Sequence, residues 1–184
     1  MEKKYLYENG KIYQNNQEFS GKQKGFLKKT VAALNTINSK STGNNLIKQA
    51  ENSEKNITIK KSMSNSFKPV ESLSDIALNG VHSDGTNERP SFIGLAHELA
   101  HGVDAAYGKM DGKYWYTVYD TEGKFQKSIY NYEKQACHTE NLIRAEQNIS
   151  LRLLYQPNNP NSRVLQKGIF GPYKKNTRPE SIYK

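Results

Sequence analysis

The sequence predicts an α+β domain in which helices dominate and the sheet is small and mainly antiparallel. Three observations predict it. Apolar residues recur at helical spacing in four separate stretches, while short alternating runs flank Asn9-Gly10 and Asp120–Gly123, both of which suit tight hairpin turns. The length of 184 residues suits one domain with a real core and is too short for two ordinary ones. No internal repeat interrupts this pattern.

Residues 4–14, KYLYENGKIYQ, read as two strands joined by Asn9-Gly10, a pair that accepts the positive φ of a two-residue turn. From Gly21 to Asn38, Leu27, Val31, Leu34 and Ile37 fall on one helical face, and Thr42 to Asn52 suggests a second, shorter helix. Residues 56–61, NITIKK, alternate as a half-exposed strand would, and Asp75–Asn79 offers another strand before the Gly- and Asp-rich loop at 80–88. His82, in that loop, reads as an exposed histidine.

A largely apolar helix is expected over 90–108, with Pro90 in its first turn and Gly108 at its end. KYWYTVYDTEGKFQKSIY then reads as a hairpin whose Trp115 and tyrosines belong to core and rim. Residues 131–155 form a long amphipathic helix, and 156–184, which hold all but two of the six prolines, form an irregular basic tail. The expected division is a domain over 1–155 and a tail over 156–184.

Composition narrows the function classes. A hydrophobic fraction of 35% and a mean hydropathy of −0.87 leave part of the chain as solvated loop or tail. The net charge of +9 favours acidic partners or simple solubility, but the lysines and arginines are dispersed in short pairs, so a nucleic-acid partner is not expected. Cys137 is the single cysteine, which excludes an internal disulfide. No run approaches ~18 apolar residues, so no membrane segment is expected, and an apolar run is missing after the basic N-terminal residues. Any delivery signal is expected to lie outside the chain.

The chemistry is concentrated in His97-Glu98-Leu99-Ala100-His101, an H-E-x-x-H pattern on the central helix. Positions i and i+4 lie roughly 40° apart on a helix, so both imidazoles can meet one metal ion. Glu98 falls beside them as the general base for water that zinc has made acidic. Five letters can match by chance. Burying two histidines and a glutamate unpaired in an apolar helix would cost several kcal/mol, however, and a metal offsets that cost.

Two histidines leave a hydrolytic zinc site one ligand short. The metzincin solution fails because Asp104 and Tyr107 occupy the places of its glycine and third histidine. The later helix offers Glu133, Glu140 and Glu146. Relative to Glu133, Glu140 and Arg144 each lie about 20° away, on opposite sides, whereas Glu146 and His138 lie roughly 140° off. Glu133 and Glu140 therefore share the inward face, with Cys137 beside them as a small buried residue. Glu146 and His138 are expected in solvent. Tyr130 and Tyr132, just before this helix, are candidate donors to an oxyanion.

HELAHGVDAAYG followed by Glu133-Lys134-Gln135-Ala136 resembles the glutamate zincins of the anthrax lethal factor type, in which an E-x-x-A segment supplies the third ligand; Cys137 stands where an acidic residue is usual. A closer resemblance covers most of the chain. LYENGKIYQNNQEFSGKQKGFL, RPSFIGLAHELAHGVDAAYG and YEKQACHTENLIRAEQNISLRLLY, in that order, resemble the NleD-like effector metallopeptidases, including toxin domains at the C-termini of bacterial Rhs-type polymorphic toxins. The resemblance implies a zincin-like fold with Zn²⁺ on His97, His101 and Glu133, and Glu98 as base. Glu140 would then pair with Arg144 or orient a ligand histidine. It further implies a bacterial effector or toxin delivered into a target-cell cytosol, hydrolysing proteins there and countered by a cognate immunity protein. A monomer is expected. In zinc peptidases with such a helix an edge strand aligns extended substrate, and Ile76, Ala77 and Leu78 are the expected one. The competing expectation is a noncatalytic module on the same scaffold, capturing an acidic protein or nucleic acid. Glu98 argues against it, since zinc binding alone needs only the ligands.

Overall fold

The computed structural model describes residues 4–60, 90–149, 151–156 and 159–164. Among these, four α-helices and two small antiparallel sheets make an α+β architecture. Strands β1 (Leu6–Glu8) and β2 (Lys11–Gln14) pair across Asn9 and Gly10, whose φ values of 50° and 77° give the left-handed turn expected of Asn-Gly. A two-residue β3 (Gln17–Glu18), not foreseen from the sequence, extends this sheet after Asn15 and Asn16, both also at positive φ.

Helices α1 (Gly25–Asn38) and α2 (Ser41–Glu51) bury Val31, Ala33, Leu34, Ile37, Leu46 and Ile47, the faces that the apolar spacing marks. They meet so closely that a Cβ on Gly43 would collide with the Ile37 carbonyl. Gly43→Ala should therefore destabilise by about 1–3 kcal/mol, although alanine is the better helix former. A thermal melt checks this at roughly 2–4 °C per kcal/mol, and an unchanged or raised Tm would contradict the close approach. The first turn of α2 is capped from a distant helix: the Glu146 carboxylate accepts from Thr42 N at 2.9 Å and from Thr42 Oγ1 at 2.8 Å. Glu146 is thus a partly buried cap and not the solvated side chain expected.

Residues 56–60 form no strand. Ile57 and Ile59 instead pack as partly buried side chains on the main core, so the alternation records one-sided burial without a ladder. The expected strand at Asp75–Asn79, with Ile76, Ala77 and Leu78, and the loop holding His82 lie outside the described residues, as does the chain after 164.

Helix α3 (Ser91–Ala106) runs through the centre, packed on α1, α2 and α4, and is buried at every position from Ile93 to Val103. Its first turn closes on Pro90, which caps the helix from just outside it, through Ile93 N to Pro90 O at 2.9 Å. Gly108, at φ 66°, lets the chain leave while Lys109 N bonds back to Asp104 O at 2.7 Å. Strands β4 (Tyr114–Tyr119) and β5 (Phe125–Tyr130) form the expected hairpin, its turn organised by the Asp120 carboxylate and by Gly123 at φ 78°.

Helix α4 (Asn131–Glu146) stops nine residues short of the expected end at 155. Asn148 takes φ 57°, and Asn141 captures the returning backbone by accepting from Arg152 N at 2.7 Å and donating to Arg152 O at 2.9 Å. Residues 151–155 thereby fold back along α4, and Leu154 bridges to Arg163 beyond the one-turn helix Pro160–Ser162.

Candidate metal centre

The loop leaving α3 is stitched to the first turn of α4, and that stitching brings the two helices' polar side chains together. Asp111 O accepts from Tyr132 N and Lys113 O from Asn131 N, each at 2.9 Å. Gln135 accepts from Asp111 N at 2.9 Å and donates to Lys109 O at 3.1 Å. Glu133 is thereby set against the histidine face of α3. His97 Nε2 and His101 Nε2 each lie 3.2 Å from the same Glu133 Oε2.

The donor atoms of His97, His101 and Glu133 all fall within 4.8 Å of one another. Both imidazoles are almost fully buried, whereas the Glu133 side chain keeps 17% exposure, so the cluster meets solvent on the Glu133 side. Glu98, 6% exposed, lies on α3 one residue past His97 and is not part of the converging set. The sequence places these four residues, and the fold brings three of them to one point.

On its other nitrogen, His97 is held by a carboxylate. Nδ1 lies 2.9 Å from Glu140 Oε2, and Glu140 also accepts from Arg144 Nε at 2.8 Å and from Arg152 Nη1 at 3.1 Å. All four groups are buried. Glu140 therefore makes both contacts that its position one turn from Arg144 offered. With two guanidiniums on the carboxylate, Glu140 accepts the Nδ1 proton, so Nε2 is the ring nitrogen that faces His101 and Glu133. The orienting carboxylate is thus Glu140, three residues beyond the cysteine that stands where an acidic residue is usual.

Charge follows the same geometry. Burial pushes the Glu133 carboxyl up, but the imidazoles of His101 and His97 outweigh it and hold it well below the usual carboxylate range. Burial opposes a proton on His97, yet Cys137, Glu133 and Glu140 overcome it and raise its pKa well above that of a free imidazole. Glu140 is driven far down by Arg152, His97 and Arg144 against its own desolvation. His138, expected at the surface, is half-buried, and burial lowers its pKa.

A second convergence, of His97, Cys137 and Glu140, is fully buried. It shares His97 with the first, and its carboxylate is already bound by two arginines, so it works as the support of the first set. Sequence reasoning missed Arg152. An arginine inside the apolar run Ile149-Ser150-Leu151-Arg152-Leu153-Leu154 was the available signal, since a cation there needs a buried anion.

Two imidazoles from one helix turn and a carboxylate from the next helix suit a divalent metal with nitrogen and oxygen ligands. The tautomer fixed by Glu140 presents the coordinating nitrogen inward. His97, His101 and Glu133 thus form a candidate metal site of the described residues. The chain belongs to the Peptidase_M91 family, described as an effector protein, whose model matches residues 14–155. No curated protein and no solved structure matches it. The chain is accordingly an effector of a peptidase family, whose substrate class is a target protein. Among the described residues no helix is long and apolar enough to cross a membrane.

Proposed function

We propose that the chain is a zinc-dependent endopeptidase with a zincin-like fold over residues 1–155, acting as a delivered bacterial effector or toxin on proteins of a target cell. The observation that carries this reading is the convergence of His97 Nε2 and His101 Nε2 on Glu133 Oε2, with Glu98 on the same helix turn. His97, His101 and Glu133 would hold the ion. When bound, zinc supplies Lewis acidity that polarises a carbonyl and lowers the pKa of water toward neutrality. Glu98 removes a proton from the attacking water and passes it to the leaving amine. Glu140 fixes the His97 ring, and the buried shell of α3 and α4 keeps these groups in one geometry.

An Rhs-type toxin context, a monomeric state and an acidic immunity protein complementary to the +9 charge complete the proposal. The residues after 155 are then a tail to this domain.

Zinc analysis of reconstituted protein tests the reading, with one ion per chain expected; stoichiometry near zero would end it. The proton on His97 adds a pH signature. Because its pKa is raised in the metal-free protein, the ring is charged below that pKa and must lose a proton to coordinate. Zinc affinity should climb with pH, by about tenfold per unit for each proton released, until the His97 pKa is passed. Calorimetry at pH 7 in buffers of different ionisation enthalpy should register about one proton released per zinc. A pH-independent affinity between pH 5 and 7 would contradict the role of His97.

A further inference from the structure

Two chains of rings lead away from the histidines of the candidate metal centre. On the His101 side, Tyr132 lies edge-on to the imidazole at 5.6 Å and stacks on Tyr130 at 5.7 Å, so the two donors suggested by the sequence form one aromatic pair. On the His97 side, the Tyr155 ring stacks at 6.4 Å with planes 25° apart, and Trp115 tilts against Tyr155 at 6.0 Å. This second chain ends on a cation. Lys134 Nζ sits 4.6 Å from the Trp115 ring centroid, carried by the residue that directly follows Glu133 on α4.

The ammonium has a ring beneath it and no anion against it. Among the described residues no carboxylate forms an ion pair with Lys134. Asp111, whose charge does reach it, is engaged elsewhere, accepting from Lys113 N at 2.9 Å and from Asn131 Nδ2 at 3.1 Å. Burial lowers the Lys134 pKa against the pull of Asp111, the mark of a charge that has lost water without gaining a close partner. The cluster opens to solvent at Glu133, and the half-buried Lys134 is its neighbour. A lysine already packed on a ring has less rotamer freedom left to lose, so an arriving anion meets it at a smaller entropic cost.

We propose that Lys134 is a specificity-determining residue whose ammonium binds an Asp or Glu side chain of the target protein, on the His97 side of the bond to be cut. This rests on the metallopeptidase reading above. Extended chain advances about 3.3 Å per residue, so the acidic residue lies about two or three positions from that bond, far enough to pass the Tyr155 and Trp115 rings. The net charge of +9 draws acidic segments toward the protein, and Lys134 selects where along them the cut falls.

The test digests a tryptic peptide pool from a cell lysate with zinc-loaded protein and reads the residues around each new end by mass spectrometry. Wild type should show Asp and Glu enriched at one position about two or three residues from the cut. A synthetic peptide with Glu there should be cleaved about fivefold faster in kcat/KM than its Gln counterpart, the effect of a half-exposed ion pair. Lys134→Met keeps an apolar stem on Trp115 and should lose this preference with its zinc content unchanged. Lys134→Glu should invert it, favouring Lys at that position by about fivefold. Lys127→Glu, the same change of charge on exposed β5, should keep the wild-type preference. Cleavage by wild type without acidic enrichment overturns the proposal, as does a preference that survives in Lys134→Met or is lost equally in Lys127→Glu. Loss of zinc from Lys134→Met also overturns it, by making the side chain a packing element of the site. Wild-type protein that cuts no peptide removes the metallopeptidase reading, and this proposal with it.

Discussion

Glu98→Gln is expected to leave the fold and the zinc content intact while lowering peptide-bond cleavage by about 10²–10⁴-fold, the usual cost of losing a general base. The amide has the shape of the carboxylate, so the helix that carries it, buried from Ile93 to Val103, has no reason to repack. It cannot take a proton from water. Wild type and Glu98→Gln expressed in susceptible cells, each with its zinc content measured, should differ almost completely in toxicity. A noncatalytic module would keep its effect after so small a change. Undiminished toxicity from a zinc-loaded Glu98→Gln protein would therefore rule out the proteolytic mechanism.

The second large effect separates two carboxylates that share one face of α4. Glu140→Ala removes the partner of two buried guanidiniums, at 2.8 Å and 3.1 Å, and of His97 Nδ1 at 2.9 Å. Breaking a buried pair from one side costs about 3–5 kcal/mol, because the remaining charge has lost its solvent without keeping its partner. Urea unfolding should show that loss in the metal-free protein. Glu133 instead reaches solvent, and its contacts are the two Nε2 atoms. Glu133→Ala should leave a folded protein with little affinity for zinc. A stable Glu140→Ala protein that loses the metal, beside a Glu133→Ala protein that keeps it, would exchange the two roles.

Much of this fold was readable because local patterns and tertiary packing agree. The Asn9-Gly10 hairpin, the α1 and α2 faces and the β4–β5 turn each carry their own signal in adjacent residues. What escaped depends on partners far along the chain. Periodicity continues past Glu146, but the helix ends there because Asn148 adopts a left-handed turn and Asn141 binds the Arg152 backbone, a bargain that no local pattern announces. Ile57 and Ile59 alternate as a strand would, yet they pack on helices. Glu146 looked solvated by angle alone, since the Thr42 backbone it caps comes from another helix.

The same division holds in the site. His97, Glu98 and His101 are legible from five consecutive residues, and helical geometry puts Glu133 and Glu140 on one face. Choosing between those two needed the family resemblance in sequence, whereas in space the carboxylates differ plainly: one faces Nε2 atoms and the other faces Nδ1 and two arginines. Arg152 was missed because it reaches Glu140 from a segment that reads as the end of a helix, although its place in an apolar run marked a cation in need of a buried anion.

The measurement that bears most directly on the proposed metal centre is a crystal structure of zinc-reconstituted protein with anomalous data collected at the zinc edge. The account predicts one peak per chain, about 2.0–2.2 Å from His97 Nε2, His101 Nε2 and a Glu133 oxygen, with Glu140 still on His97 Nδ1. A peak bound to Glu140 in place of Glu133, or none between α3 and α4, would contradict it.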